Sequence, residues 1–187
     1  MKWWIILIIA VVVLLILWFI AVANKLVRKK AEVDNAFADI DVYLTKRFDL
    51  IPNLVNTVKG YTKHEKETFE AVVAARSLGM GAKSINEKVE ADEQLTSALG
   101  RLIAVAEAYP ELKADSSFIE LQGALKEIET DLVGARRYYN AAVKAYNILI
   151  HTIPSNIVAG ILGYKDLKMY EATEEQRKNV KVDFSEE

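Results

Sequence analysis

From Trp3 to Ala23 every side chain is apolar. A run of about 20 such residues is what a helix needs to cross a hydrocarbon core of ~30 Å, and a helix apolar on all sides has no face suited to water. The run is read as a transmembrane helix. Trp3 and Trp4 suit one interface, Leu14 lies in the hydrocarbon, and Trp18 and Ala23 approach the other interface, where aromatic belts form. A cleaved signal peptide is the rival reading. Its apolar region would be about 7 to 15 residues and would close on a small-residue site, for which Ala21-Val22-Ala23 is a weak match. Lys25, Arg28, Lys29 and Lys30 follow the run and form a basic collar suited to anionic headgroups, while only Lys2 and the amino terminus precede it. The positive-inside rule then predicts the N-terminus outside and the following domain in the cytoplasm.

The stretch Val33 to Gly60 carries two stripes. Val33, Phe37, Ile40, Leu44, Phe48, Ile51, Val55 and Val58 recur at steps of three and four, the spacing of one helix face. Asn35, Asp39, Lys46, Asp49, Asn53 and Asn56 recur at the same steps on another face, interrupted only by Val42. Asn and Asp are poor helix formers, and a solvated stripe ordinarily favours Glu, Lys, Gln and Arg. This polar stripe is either solvated surface or a face that hydrogen-bonds a neighbouring helix or another copy of the chain. Pro52 lies inside the apolar pattern, where its missing N–H and its ring predict a kink or a restart. Arg47 falls on the seam Ile40, Leu44, Ile51, Leu54, Val58. If that seam is buried the guanidinium needs a carboxylate, for which Glu127 and Asp131 are the expected candidates.

The rest of the chain repeats helical periodicity. Tyr61 to Leu78 is expected to continue as helix, and Gly79 and Gly81 to cap and turn it. Leu95, Leu99, Leu102, Ala106 and Tyr109 predict a helix from about Asn86 to Ala108, ended by Pro110. Ser117 to Glu120 matches a capping box. It opens the longest seam: Leu121, Leu125, Ile128, Leu132, Ala135, Tyr139, Ala142, Tyr146 and Leu149. A seam that long needs a partner of similar length, and Val33 to Gly60 supplies one. After Pro154 a short apolar segment, Ser155 to Tyr164, reads as a cap on the bundle's open end, or else as a docking site for another subunit or for lipid. Beyond Lys165 the chain is charged and expected to be loosely held.

The formal charge is −2 with both signs interspersed, and no basic stripe with aromatics appears, which argues against nucleic-acid binding. With no cysteine, disulfides, thiolate metal sites and cysteine nucleophiles are excluded. His64 and His151 lack ligand spacing, and His64-Glu65 is not completed to an H-E-x-x-H helix. There is no phosphate loop, dinucleotide fingerprint or nucleophile elbow. In Arg136-Arg137-Tyr138-Tyr139-Asn140, Tyr139 is placed inward with cation–π support from the flanking arginines; an anion or headgroup contact is the alternative.

Four motifs stand in order behind the apolar run: VDNAFADIDVYLTKRFDLIPNLVNTVKGYTKHEKET, AYPELKAD, ARRYYNAAVKAYN and IPSNIVAGILGY. Together they resemble the LemA family of bacterial membrane proteins from about Leu26 to Tyr164. The resemblance implies a single-pass protein with a long-helix bundle and no established enzymatic activity, and it carries no catalytic residues.

The expected fold is all-α: a transmembrane anchor over 1–24, an antiparallel, coiled-coil-like bundle of long helices over 25–164 and a charged tail over 165–187. No enzyme, cofactor or metal is expected. The expected partners are the lipid bilayer and a second copy of the chain, or another membrane protein.

Overall fold

The structure is a computed structural model and describes residues 2–62 and 65–170; His64 and residues 171–187 lie outside it. The described residues form six helices and no strand: α1 Trp3–Tyr61, α2 Lys66–Gly81, α3 Ile85–Glu107, α4 Pro110–Lys113, α5 Ser116–His151 and α6 Ser155–Ile161.

The apolar run and the striped segment are one helix. With 59 residues α1 is about 88 Å long at 1.5 Å per residue. Its first third stands free of the other helices, and that part is long and apolar enough to cross a membrane. The join is firm. Leu26 is fully buried, and Phe19, Val22 and Ala23, the last turns of the run, already pack against the domain core.

α5 lies antiparallel along the lower two thirds of α1 and makes the most extensive packing in the molecule. At one end Tyr61 donates a hydrogen bond to Asp115 across 2.8 Å; at the other, α6 reaches α1. Along the interface Val33, Ile40, Leu44, Phe48, Ile51, Val55 and Val58 of α1 are buried, as are Leu125, Leu132, Tyr139, Ala142 and Tyr146 of α5. These are positions of the two expected seams. α5 starts one residue before the expected capping box, because Asp115 caps it instead: its carboxylate accepts from the Phe118 amide at 2.9 Å.

α2 and α3 form a hairpin packed on α1. The chain does not run straight from α1 into α2: Thr62 closes α1 in an extended conformation. Ser84 and Glu87 form a reciprocal capping box at the start of α3. Gly79 is a helical residue of α2 and not its cap. A Cβ there would lie 2.2 Å from Cζ of Phe48, so the glycine lets the Phe48 ring sit against the α2 backbone.

Pro52 does not make the helix restart; α1 is continuous through it, with the proline exposed. The missing N–H leaves the Phe48 carbonyl without its usual helical donor. Arg76 of α2 takes that carbonyl, with Nε 2.8 Å from the oxygen. The proline thus opens an acceptor through which a second helix is held. Pro52→Ala supplies an amide that competes for the same oxygen, so Arg76→Gln should weaken α2 docking in the native chain and cost markedly less in the Pro52→Ala background. Equal losses of urea midpoint in the two backgrounds would refute the coupling.

Candidate functional site: a buried charge cluster under a C-terminal strap

Arg47 is 5% exposed, and its carboxylate partner is neither Glu127 nor Asp131. Both of those are exposed, lining a groove beside Lys46 and Asp49 on another side of the α1/α5 pair. Arg47 turns toward α3, where its Nη1 lies 2.6 Å from Oδ1 of Asp92, itself 2% exposed. The other Asp92 oxygen accepts from Nη2 of Arg136 on α5 and from the Tyr170 hydroxyl at 3.1 Å. Glu129 completes the group: Oε2 is 3.2 Å from Nη1 of Arg47, a charge contact without hydrogen-bond alignment, and Oε1 is 3.5 Å from Nη1 of Arg136.

Two guanidiniums and two carboxylates therefore balance in a largely dry site. Its position explains why such a costly arrangement is kept. The α3 and α5 backbones stay apart, and Arg136 reaching Asp92 is the bridge between them, while Arg47 ties both to α1. The packing is not saturated: Nε of Arg47 and Nε of Arg136 have no hydrogen-bond partner. The cluster can hold helices together and fix their register. Among the described residues no group of three or more metal-ligating side chains occurs.

A strap covers the cluster. The segment Lys165 to Tyr170, expected to be loose, runs extended along α5 and is tied to it through its backbone. The Asn147 side-chain amide donates to the Leu167 carbonyl at 2.8 Å and accepts from the Leu167 amide at 3.0 Å. One heptad away, Asn140 does the same with Tyr170, at 2.9 and 2.7 Å. The hydroxyls of Tyr146 and Tyr139, each one residue earlier, donate to the carbonyls of Lys165 and Lys168. Two Tyr-Asn pairs thus treat the strap as a strand edge would, reading main chain rather than side chains. The strap ends with the Tyr170 ring over the Arg136 guanidinium, 4.7 Å from centroid to Cζ. Burial, and then the charge of Asp92, push the Tyr170 phenol well above the ordinary tyrosine range. Burial likewise raises Tyr139 and Tyr146.

The other sequence-marked residues are spread along α1. Trp3, Trp4, Leu14 and Trp18 are exposed on its free part, with Ala23 at the join. In the collar, Lys25 and Arg28 are exposed, whereas Lys29 pairs with Glu32 at 2.6 Å and Lys30 pairs with Asp34. Asn35, Asp39, Lys46, Asp49, Asn53 and Asn56 are all exposed, so none of the described helices covers the polar stripe. Arg136 is the member of its cluster that enters the buried site; Tyr138 is 56% exposed.

The LemA family model matches residues 36–184. The chain belongs to the LemA family. It is 29% identical to the protein LemA of Metamycoplasma hominis, over 91% of this chain and 78% of that one. It is also 26% identical to the magnetosome protein MamQ 2 of Paramagnetospirillum magneticum, over 79% of this chain and 64% of the relative. A shorter match, 30% identical over 80 residues, covers 29% of the magnetosome protein MamQ of Magnetospirillum gryphiswaldense. This LemA-family chain is thus a membrane-associated protein whose helical domain continues directly from its candidate span.

Proposed function

We propose that this LemA-family chain is a single-pass scaffold of the bacterial inner membrane, which self-associates through the polar stripe of α1 and thereby organises or remodels the membrane. The observation that carries this reading is the stripe's geometry. Asn35, Asp39, Val42, Lys46, Asp49, Asn53 and Asn56 alternate steps of four and three, the spacing of a coiled-coil seam, and the row faces outward. Val42, its one apolar member, is 52% exposed. Asparagines in such a seam satisfy one another across an interface and penalise wrong registers, which suits a specific contact better than a merely soluble surface. The family and the MamQ relatives support the membrane setting. We read the protein as non-enzymatic, a support that acts by contact.

Disulfide trapping in membranes tests the seam, since the chain has no cysteine of its own. A cysteine placed at Asn35 or Asn53 should give cross-linked dimers, and one at the exposed Arg101 should not. Equal trapping at all three positions, or none at the stripe, would remove the self-association reading; a cross-link to a foreign membrane protein would favour an adaptor docking onto a secretion or signalling component.

The domain is read as cytoplasmic, because positive charge near the span decides orientation while Glu and Asp contribute little. The pairing of Lys29 and Lys30 with acids therefore leaves that expectation unchanged. A reporter active only in the cytoplasm, fused after Glu187, should be active. Activity of an exported reporter alone would put the domain outside.

A further inference from the structure

The short helix α6 has two unlike faces. Val158 and Ala159 are buried against the bundle, and Ser155 locks the preceding turn by donating to the carbonyls of Leu149 and Thr152. On the outside, Ile153 is 79% exposed, Ile157 58%, Ile161 68% and Leu162 45%. Ile157 and Ile161 stand one turn apart on α6, Ile153 lies in the turn before it and Leu162 caps its end, so they form an apolar patch, and no charged residue occurs between Thr152 and Tyr164.

Where α6 sits decides what covers that patch. The Tyr61 contact with Asp115 fixes the register of the antiparallel pair at its far end. α5 is 36 residues long, about 54 Å, so its end is level with a point on α1 about as many residues before Tyr61, close to Lys25. α6 follows immediately and packs on α1 beside the buried Leu26 and the half-buried Phe19, Val22 and Ala23. Its outer isoleucines are therefore at the depth where the apolar run leaves the bilayer. The exposed cations Lys25 and Arg28 stand at the same level, where headgroups would be.

We propose that the outer side of α6 and of the turns that flank it, formed by Ile153, Ile157, Ile161 and Leu162, inserts into the headgroup and acyl boundary of the same bilayer that α1 crosses. The inference rests on the membrane-anchor reading and adds a second lipid contact to it. A single helix can swivel and tilt about its axis. An apolar patch fixed to one side of it, continuous with the lipid-facing surface, holds the long α1/α5 arm at one azimuth to the membrane and so aims the polar stripe.

The test uses the full chain in vesicles of phosphatidylcholine and phosphatidylglycerol, with one nitroxide on an introduced cysteine. Ile157→Cys and Ile161→Cys probe the α6 face, Val12→Cys is the hydrocarbon reference and Ile119→Cys, exposed at the far end of α5, is the water reference. Dissolved oxygen should relax the labels at 157 and 161 severalfold more effectively than a water-soluble nickel chelate, as at 12, with the order reversed at 119. Water-like behaviour at 157 and 161 with a lipid-like label at 12 would overturn the α6 contact and leave the anchor standing. Poor access of both colliders at 157 and 161 would also overturn it, since protein would then cover the face. A water-like label at 12 would remove the anchor and the α6 contact together.

Discussion

Asp92→Ala should destabilise the domain by about 3–5 kcal/mol, the range for removing one partner of a buried charge pair. The loss comes from what is left behind: the guanidiniums of Arg47 and Arg136 keep their burial and lose their shared carboxylate, with only Glu129 to face both. The effect should be read as a lowered urea midpoint for loss of helical signal in the full chain in mild detergent. Arg47→Met, which keeps volume and drops the charge, should be severe alone and less than additive with Asp92→Asn. Glu127→Gln and Asp131→Asn are exposed changes outside the cluster and should stay within about 0.5 kcal/mol of the native chain. Coupling near zero between positions 47 and 92 would show that the contact contributes nothing to folding.

Asn140→Ala together with Asn147→Ala should detach the strap from α5. The pair removes four hydrogen bonds to the backbone of Leu167 and Tyr170, each worth about 0.5–1.5 kcal/mol, and leaves the strap's groups free to bond water. Amide exchange should then lose its protection at Leu167 and Tyr170 while the middle of α5 keeps its own. The Tyr170 phenol gives a second readout. Its folded-state ionisation is raised, so its contribution to stability is complete below the pH where a free tyrosine ionises, about 10, and is lost as pH rises toward the folded value. In the double variant this phenol should ionise in the ordinary tyrosine range. Unchanged protection with a still-raised phenol would mean that packing, not the asparagines, holds the strap.

The two strap asparagines and Asp92 mark the boundary of what periodicity can reveal. The α1 and α5 seams were legible because long helices repeat the same burial every seven residues, and the burial of Arg47 followed from its place on one of them. The Arg47 partner lies on α3, off the long α5 seam that suggests Glu127 and Asp131. Extending the α3 row Leu95, Leu99, Leu102 backwards at the same steps reaches Asp92, a carboxylate at a core position, and that signal was available. The Tyr-Asn repeat at 139–140 and 146–147 was equally visible in the sequence. What it binds was not, since an extended strap has no period of its own and charged residues near a terminus resemble a free tail. Pro52 announced a freed carbonyl, whereas the donor, Arg76, depends on how α2 folds back.

The stripe on α1 is the part on which the proposed function rests, and the mass of the protein in lipid tests it most directly. In native mass measurements of the full chain released from nanodiscs, the scaffold reading predicts a discrete homo-oligomer. Asn53→Lys with Asn56→Lys, both exposed and outside the core, should convert it to monomer while the helical signal and urea midpoint stay unchanged. A monomer in the native chain, or an oligomer indifferent to both lysines, would contradict it.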